Sequence, residues 1–173
     1  MIDFSKIKSK KEVGKCFDYA ILPKQTTEQT IRDCCKEAIK YNCKAFCFSS
    51  SYWTPIVAEE LKGTDILVGA AIGFPFGQQT SAVKAFEAGI DWVKSSTGQY
   101  AGPTLEQVIL MADCCKGTNT RVKVSGVKDP RPQNAYVFLR AGADLIGTRQ
   151  APQIIDSFDT MRKIGIIPPY EGE

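Results

Sequence analysis

Residues 91–126 read DWVKSSTGQYAGPTLEQVILMADCCKGTNTRVKVSG and hold a strand, a helix and a second strand in succession. DWVKSST (91–97) and TRVKVSG (120–126) are short, valine-bearing runs of strand length. The spacing between them predicts a helix over 103–116, opened by Pro103 at its first position, where a backbone N–H is dispensable. Two strands joined through a helix lie parallel. The rest of the chain repeats this unit in both directions.

Toward the N-terminus, CFDYAIL (16–22), KAFCFSS (44–50) and ILVGAAIGF (66–74) read as strands. Helices are expected from Thr26 or Thr27 to about Tyr41, from 54 to 61, and from 81 to 88 with Gly89 as the cap. Toward the C-terminus, a helix over 132–141, a strand DLIGTR (144–149) and a helix over 152–163 follow. The tail IIPPYEGE is expected to be extended and loosely held. Six βα units in a row imply an α/β fold with a parallel sheet and helices outside it. The strands are apolar on both faces, as doubly covered parallel strands must be. No shift in composition divides the chain, so residues 1–173 are expected to form one domain.

The composition excludes several classes. A net charge of +3, with scattered basic residues, gives no footprint for nucleic acid. Lys6, Lys8, Lys10 and Lys11 are the exception, and are expected to form the wet face of a first helix. No run reaches the roughly 18 apolar residues of a membrane span. Seven cysteines without Cys-x-x-Cys spacing, and no histidine at all, give no zinc pattern. No metal and no cofactor are expected. Reduced thiols and the absence of an apolar leader imply a cytoplasmic protein.

Lys94 and Lys123 stand out in this framework. Each lies near the end of an apolar strand and is followed by Ser, Thr or Gly. Burial disfavours an ammonium, and a second ammonium nearby acts in the same direction. A lysine so treated moves toward the neutral amine that Schiff-base chemistry needs. Alternation of side chains puts Trp92, Lys94 and Ser96 on one face, and Arg121, Lys123 and Ser125 on another strand's matching face. The valines suit the helix side, so both lysines are expected to point to the sheet interior. The same scheme brings Asp18, Ala20 and Leu22 of the first strand and Ala45, Cys47 and Ser49 of the second to that interior.

These stretches resemble the class I deoxyribose-phosphate aldolases. DWVKSSTGQYAGPTLEQVILM looks like the family's Schiff-base strand and the loop after it, and VKVSGVKD with AYVFLRAGADLIGTR resembles its next two units. FDYAILPKQTTEQTIRDCCKEA, CKAFCFSSSYW and VGAAIGFPFGQQT follow in the family's order, so the likeness runs from about Asp18 to Ile155. It implies that Lys94 forms the carbinolamine and imine and that Lys123 lowers the Lys94 pKa. It further implies that Asp18 and Cys47 line the pocket, and that Gly98, Ser125, Gly126 and Gly147 help to hold a substrate phosphate. Thr97, beside Gly98, joins this substrate-binding set, and Cys47 is read as a pocket wall and not as a nucleophile.

The departures are as informative. Family members are (β/α)8 barrels of roughly 250 residues. Here IGFPFGQQT passes within one short helix into AFEAGIDWVKSST, so the family's fourth and fifth strands have no counterpart. A proton-relaying aspartate of the fourth strand goes with them. The family's paired glycines after the second lysine become Gly126-Val127, and its small-residue run after the last strand becomes Thr148-Arg149-Gln150. Arg149 can compensate by gripping phosphate or carboxylate through two parallel hydrogen bonds. The expected fold is a TIM-barrel-like βα fold reduced to about six units, either a closed small barrel or an open partial barrel whose edges are covered in a homo-oligomer. The implied function is a lysine-dependent aldolase acting on a small, phosphorylated aldehyde or ketone. A relative kept for anion sensing or assembly, and an isomerase or synthase whose lysines only bind anions, are the alternatives.

Overall fold

Six parallel strands form one sheet in the computed structural model, which describes residues 2–23, 25–70, 92–98, 101–117 and 121–172. They are β1 (Phe17–Ile21), β2 (Ala45–Phe48), β3 (Leu67–Ala70), β4 (Trp92–Lys94), β5 (Arg121–Ser125) and β6 (Leu145–Thr148). The helices are α1 (Lys10–Gly14), α2 (Glu28–Lys40), α3 (Thr54–Glu60), α4 (Leu105–Cys115), α5 (Pro132–Arg140) and α6 (Ala151–Lys163). The strand order is β3-β2-β1-β6-β5-β4. First and last strands therefore meet at the centre, as in a closed barrel, while β3 and β4 stand at opposite edges. Among the described residues no ladder joins those edges, so the described sheet is open, which fits the partial barrel of the two alternatives. The expected helix over 81–88, its Gly89 cap and the end of the third strand lie outside the described residues.

Period-two alternation decides which side chains meet the helices. Phe17, Tyr19 and Ile21 of β1, Phe46 and Phe48 of β2, Val122 and Val124 of β5 and Ile146 of β6 belong to one buried cluster. Ile31 and Cys35 of α2, Val108 of α4, Leu139 of α5 and Ile154 and Phe158 of α6 complete it from the helix side. The opposite face of the strands carries Asp18, Ala20, Cys47, Lys123 and Ser125. Hydrophobic packing thus fixes the strands and leaves the other face to polar groups.

Helix starts follow their side-chain chemistry. The Thr27 hydroxyl accepts a hydrogen bond from Thr30 N at 3.2 Å and starts α2. α4 begins at Leu105, two residues later than the Pro103 start expected from sequence. Thr104 accepts from Gln107 N at 3.2 Å, and the Gln107 side chain accepts from Thr104 N at 3.0 Å. This reciprocal box satisfies two free N–H groups at once and sets the boundary.

Both chain ends differ from expectation. The N-terminal lysines do not share one helix: Lys6 closes a short 3-10 turn (Phe4–Lys6), Lys8 lies between elements, and Lys10 opens α1. Lys10 pairs with Asp156 and, at 3.2 Å, with Asp159 of α6. The tail is held and not loose. Ile167 is buried, Glu171 N donates to Ile7 O at 3.0 Å, and Tyr170 donates to Asp159 at 2.7 Å while lying under the Arg162 guanidinium. Apolar burial of one isoleucine and an aromatic–cation contact anchor a segment whose Pro-Pro and Gly content suggested freedom.

Burial also sets an alkaline limit on stability. It pushes the thiols of Cys16, Cys35 and Cys43 from 9.0 up to about 12. In the unfolded chain these thiols ionise near pH 9, whereas the folded state keeps them neutral until about pH 12. Their contribution is intact below pH 9 and is lost as pH rises through that window. The urea midpoint at about pH 10.5 is expected to fall clearly below that at about pH 8. An unchanged midpoint would mean that these thiols reach water.

Candidate functional site

β4 and β5 are paired so that Lys94 stands opposite Lys123. Their common face looks across the sheet to Asp18 of β1, which lies beside Ala45 of β2 and Gly147 of β6. Asp18 is fully buried, and its Oδ2 is ion-paired with Lys123 Nζ. The Lys123 side chain is only 14% exposed. Beyond that ion pair, no hydrogen-bond donor among the described residues reaches either Asp18 oxygen.

The two lysines are driven apart electrostatically. Burial acts to lower the Lys123 pKa, but the Asp18 carboxylate outweighs it and the net shift is upward. Lys123 is therefore held as an ammonium. The Lys94 side chain is exposed, yet protein crowds its amino end. This desolvation comes first and the Lys123 charge second in lowering its pKa. One lysine is thus a fixed charge and its neighbour an amine eased toward neutrality.

Gly147 makes this arrangement possible. A Cβ at Gly147 would lie 2.8 Å from Lys123 Cε and 3.2 Å from Ser125 Oγ. The bare backbone of β6 lets the long lysine pass across it to Asp18.

Past the strand ends, a cavity of about 430 Å³ is lined by Thr97, Gly98, Ser125, Gly126, Gly147 and Arg149, together with Lys128 and Thr148. Six of the seven residues assigned from sequence to substrate binding therefore share one cavity. The seventh, Cys47, lines a separate cavity of about 290 Å³ with Asp18 and Lys123. Burial, first among its influences, raises the Cys47 pKa, so the thiol stays protonated. Arg121 is exposed and lines neither cavity, but lies at 5.3 Å over the ring of Trp92, a wall of the smaller one.

Lys128 was not singled out in the sequence. Its Nζ donates to Gly98 O at 2.5 Å and so ties the β5 exit to the β4 exit. Ser95 Oγ accepts from Ser125 N at 3.1 Å, and Ser96 Oγ accepts from Gly98 N at 3.0 Å. Lys128 and Arg149 are cations, and no carboxylate lines the larger cavity among the described residues. Such a site favours an anion, with glycine backbone at the strand ends to approach it closely. Among the described residues no group of three His, Cys, Asp or Glu side chains is arranged to hold a metal.

Gly126 is the tightest point of this rim. Its φ is +78°, and a Cβ there would meet Gly98 N at 2.7 Å and Gly98 Cα at 2.8 Å. Gly126→Ala is expected to cost about 1–3 kcal/mol in urea unfolding, from backbone strain and this clash. Gly63→Ala is the control, because Gly63 has φ +81° but nothing within 4 Å. Equal losses in the two variants would show that the Gly98 contact contributes nothing.

No protein-family model matches the chain. It is similar to several curated deoxyribose-phosphate aldolases. The Clostridium novyi protein is 42% identical over 76 residues, 44% of this chain and 34% of that protein. The Actinobacillus succinogenes protein is 30% identical over 127 residues, 65% of this chain and 55% of that protein. The chain thus spans about a third to just over half of these relatives. The Geobacillus protein is 28% identical over 215 aligned positions, taking in 83% of this chain and 95% of that protein. That alignment is longer than the chain's own 173 residues, so internal segments of the relative have no counterpart here. In fold the chain is similar to the solved structure of QR15, an aldolase, with TM-score 0.74, 22% identity, and 89% and 99% of the two chains covered. It is also similar to the tetrameric deoxyribose phosphate aldolase of Aeropyrum pernix, with TM-score 0.75, 22% identity, and 88% and 93% covered. The chain is thus similar in sequence to deoxyribose-phosphate aldolases over most of its length and similar in fold to solved aldolases.

Proposed function

We propose that the protein is a class I aldolase that forms an imine at Lys94 with a small, phosphorylated aldehyde or ketone. The register pairing of Lys94 with a Lys123 held charged by buried Asp18 carries this reading. The neutral Lys94 amine attacks the carbonyl carbon, and the carbonyl oxygen leaves as water. The resulting iminium accepts the electron pair of the bond between its α and β carbons, which gives an enamine and releases the β carbon as a free aldehyde. Asp18 or water takes the proton of the hydroxyl on the departing carbon and returns a proton to the enamine. The 430 Å³ cavity holds the phosphate on glycine backbone, Arg149 and Lys128. Seven free thiols support a reducing cytoplasmic setting. Leu67 and Val68, 46% and 40% exposed on the β3 edge, support a homo-oligomer that covers it.

Borohydride trapping tests the phosphate part of this reading. Glyceraldehyde 3-phosphate is expected to label the protein at lower concentration than glyceraldehyde, and inorganic phosphate is expected to suppress only the first. Equal labelling by both, unaffected by phosphate, would remove the anion cavity from the substrate site.

A further inference from the structure

The open sheet leaves a second cavity beside the lysines, and we infer that it is a subsite for the apolar chain of an unphosphorylated hydroxy-carbonyl substrate. This rests on Lys94 as the imine-forming residue. The cavity measures about 290 Å³ and shares no lining residue with the larger one. It lies at the small end of ligand pockets, roughly 300–1,000 Å³.

A complete βα barrel fills its interior with layers of bulky branched side chains. Here the interior of β2 and β3 presents Ala45, Cys47 and Gly69, which are too small to fill such layers. Leu67, on the same face as Gly69, stays 46% exposed. Leu145 adds to an apolar wall. The volume therefore comes from small residues on these strands.

Asp18 supplies an independent pointer to a ligand. Its carboxylate is fully buried on the wall of this cavity, and Oδ1 accepts no hydrogen bond among the described residues. A buried acceptor without a donor is costly, and a ligand hydroxyl removes that cost. Lys123 lines the cavity and stands opposite Lys94 on the paired strand, so the cavity and the amine are neighbours. A carbonyl carbon at Lys94 can send an apolar chain along Ala45 and Gly69 while its hydroxyl donates to Asp18. In the trapped product, the Lys94 nitrogen bonds to the carbonyl carbon, water leaves, and borohydride delivers hydride to the C=N bond.

Concentration-dependent trapping of acetaldehyde, butanal and 3-hydroxybutanal tests the subsite. Each buried methylene is worth about fourfold, so butanal is expected to half-saturate at least about tenfold below acetaldehyde. The hydroxylated probe is expected to half-saturate lower still. Gly69→Val is the filling variant, because a Cβ at Gly69 meets its nearest atoms at 3.6 and 3.7 Å, ordinary contact distances. In it, and in Ala45→Leu as a second variant, the butanal-to-acetaldehyde preference is expected to fall to about one. Acetaldehyde adducts without a chain-length preference, or a preference that survives both variants, overturn the subsite and leave the imine reading standing. A hydroxyl that adds nothing overturns the Asp18 contact. The absence of any adduct overturns the imine reading itself, and the subsite with it.

Discussion

Lys94→Ala is expected to abolish borohydride trapping of every carbonyl probe and to remove carbon–carbon bond cleavage. The imine needs an amine on the substrate side of the sheet that can shed its proton. Lys94 meets that requirement, since crowding of its amino end and the neighbouring Lys123 charge both lower its pKa. Lys123 cannot take its place, because Asp18 holds it as an ammonium. An ammonium has no lone pair for attack. Lys94→Arg is expected to fail in the same way, as a guanidinium keeps its charge throughout the accessible pH range. The measurement is intact mass after reduction, with circular dichroism to show that the variants fold. An adduct that persists in Lys94→Ala would move the chemistry to another residue.

Lys123→Met is expected to have two effects of different origin. It leaves the Asp18 carboxylate buried and unpaired, which costs about 3–5 kcal/mol in urea unfolding. It also removes the charge that lowers the Lys94 pKa while leaving the carboxylate that raises it. The pH at which Lys94 becomes reactive is then expected to shift upward. Asp18→Leu combined with Lys123→Met separates the two effects. Replacement of a buried ion pair by apolar side chains is often neutral or stabilising, so the double variant is expected to regain most of the lost stability. Its Lys94 remains without the Lys123 charge and is expected to stay less reactive near neutral pH than in the wild type. A double variant with wild-type reactivity would make the pair purely structural.

The central geometry was legible in sequence because strands alternate with a period of two. Lys94, Lys123, Asp18 and Cys47 each sit among apolar neighbours whose preference for the helices fixes the face of the polar residue. The six candidates Thr97, Gly98, Ser125, Gly126, Gly147 and Arg149 lie near or just past the strand ends, and strand ends of a parallel sheet open on one side. Lys128 was missed because an exposed lysine in a loop carries no periodic signal. Its contact with Gly98 depends on how two loops meet across 30 residues of sequence. The Thr104–Gln107 box was present in the sequence as Thr-x-x-Gln, but Pro103 offered a competing start. Whether β3 meets β4 was not legible, since edge pairing depends on the stagger of the whole sheet and not on either strand's residues.

The most direct measurement is site-resolved reductive labelling of the wild-type protein across pH 6 to 11 with a limiting amount of formaldehyde. Only the neutral amine reacts, so the extent of labelling rises through each lysine's pKa. Lys94 is expected to reach half-labelling well below the ordinary lysine value of about 10.4, and Lys123 above it. Half-labelling of Lys94 at or above that value, or a Lys123 that reacts first, would contradict the assignment of Lys94 as the nucleophile.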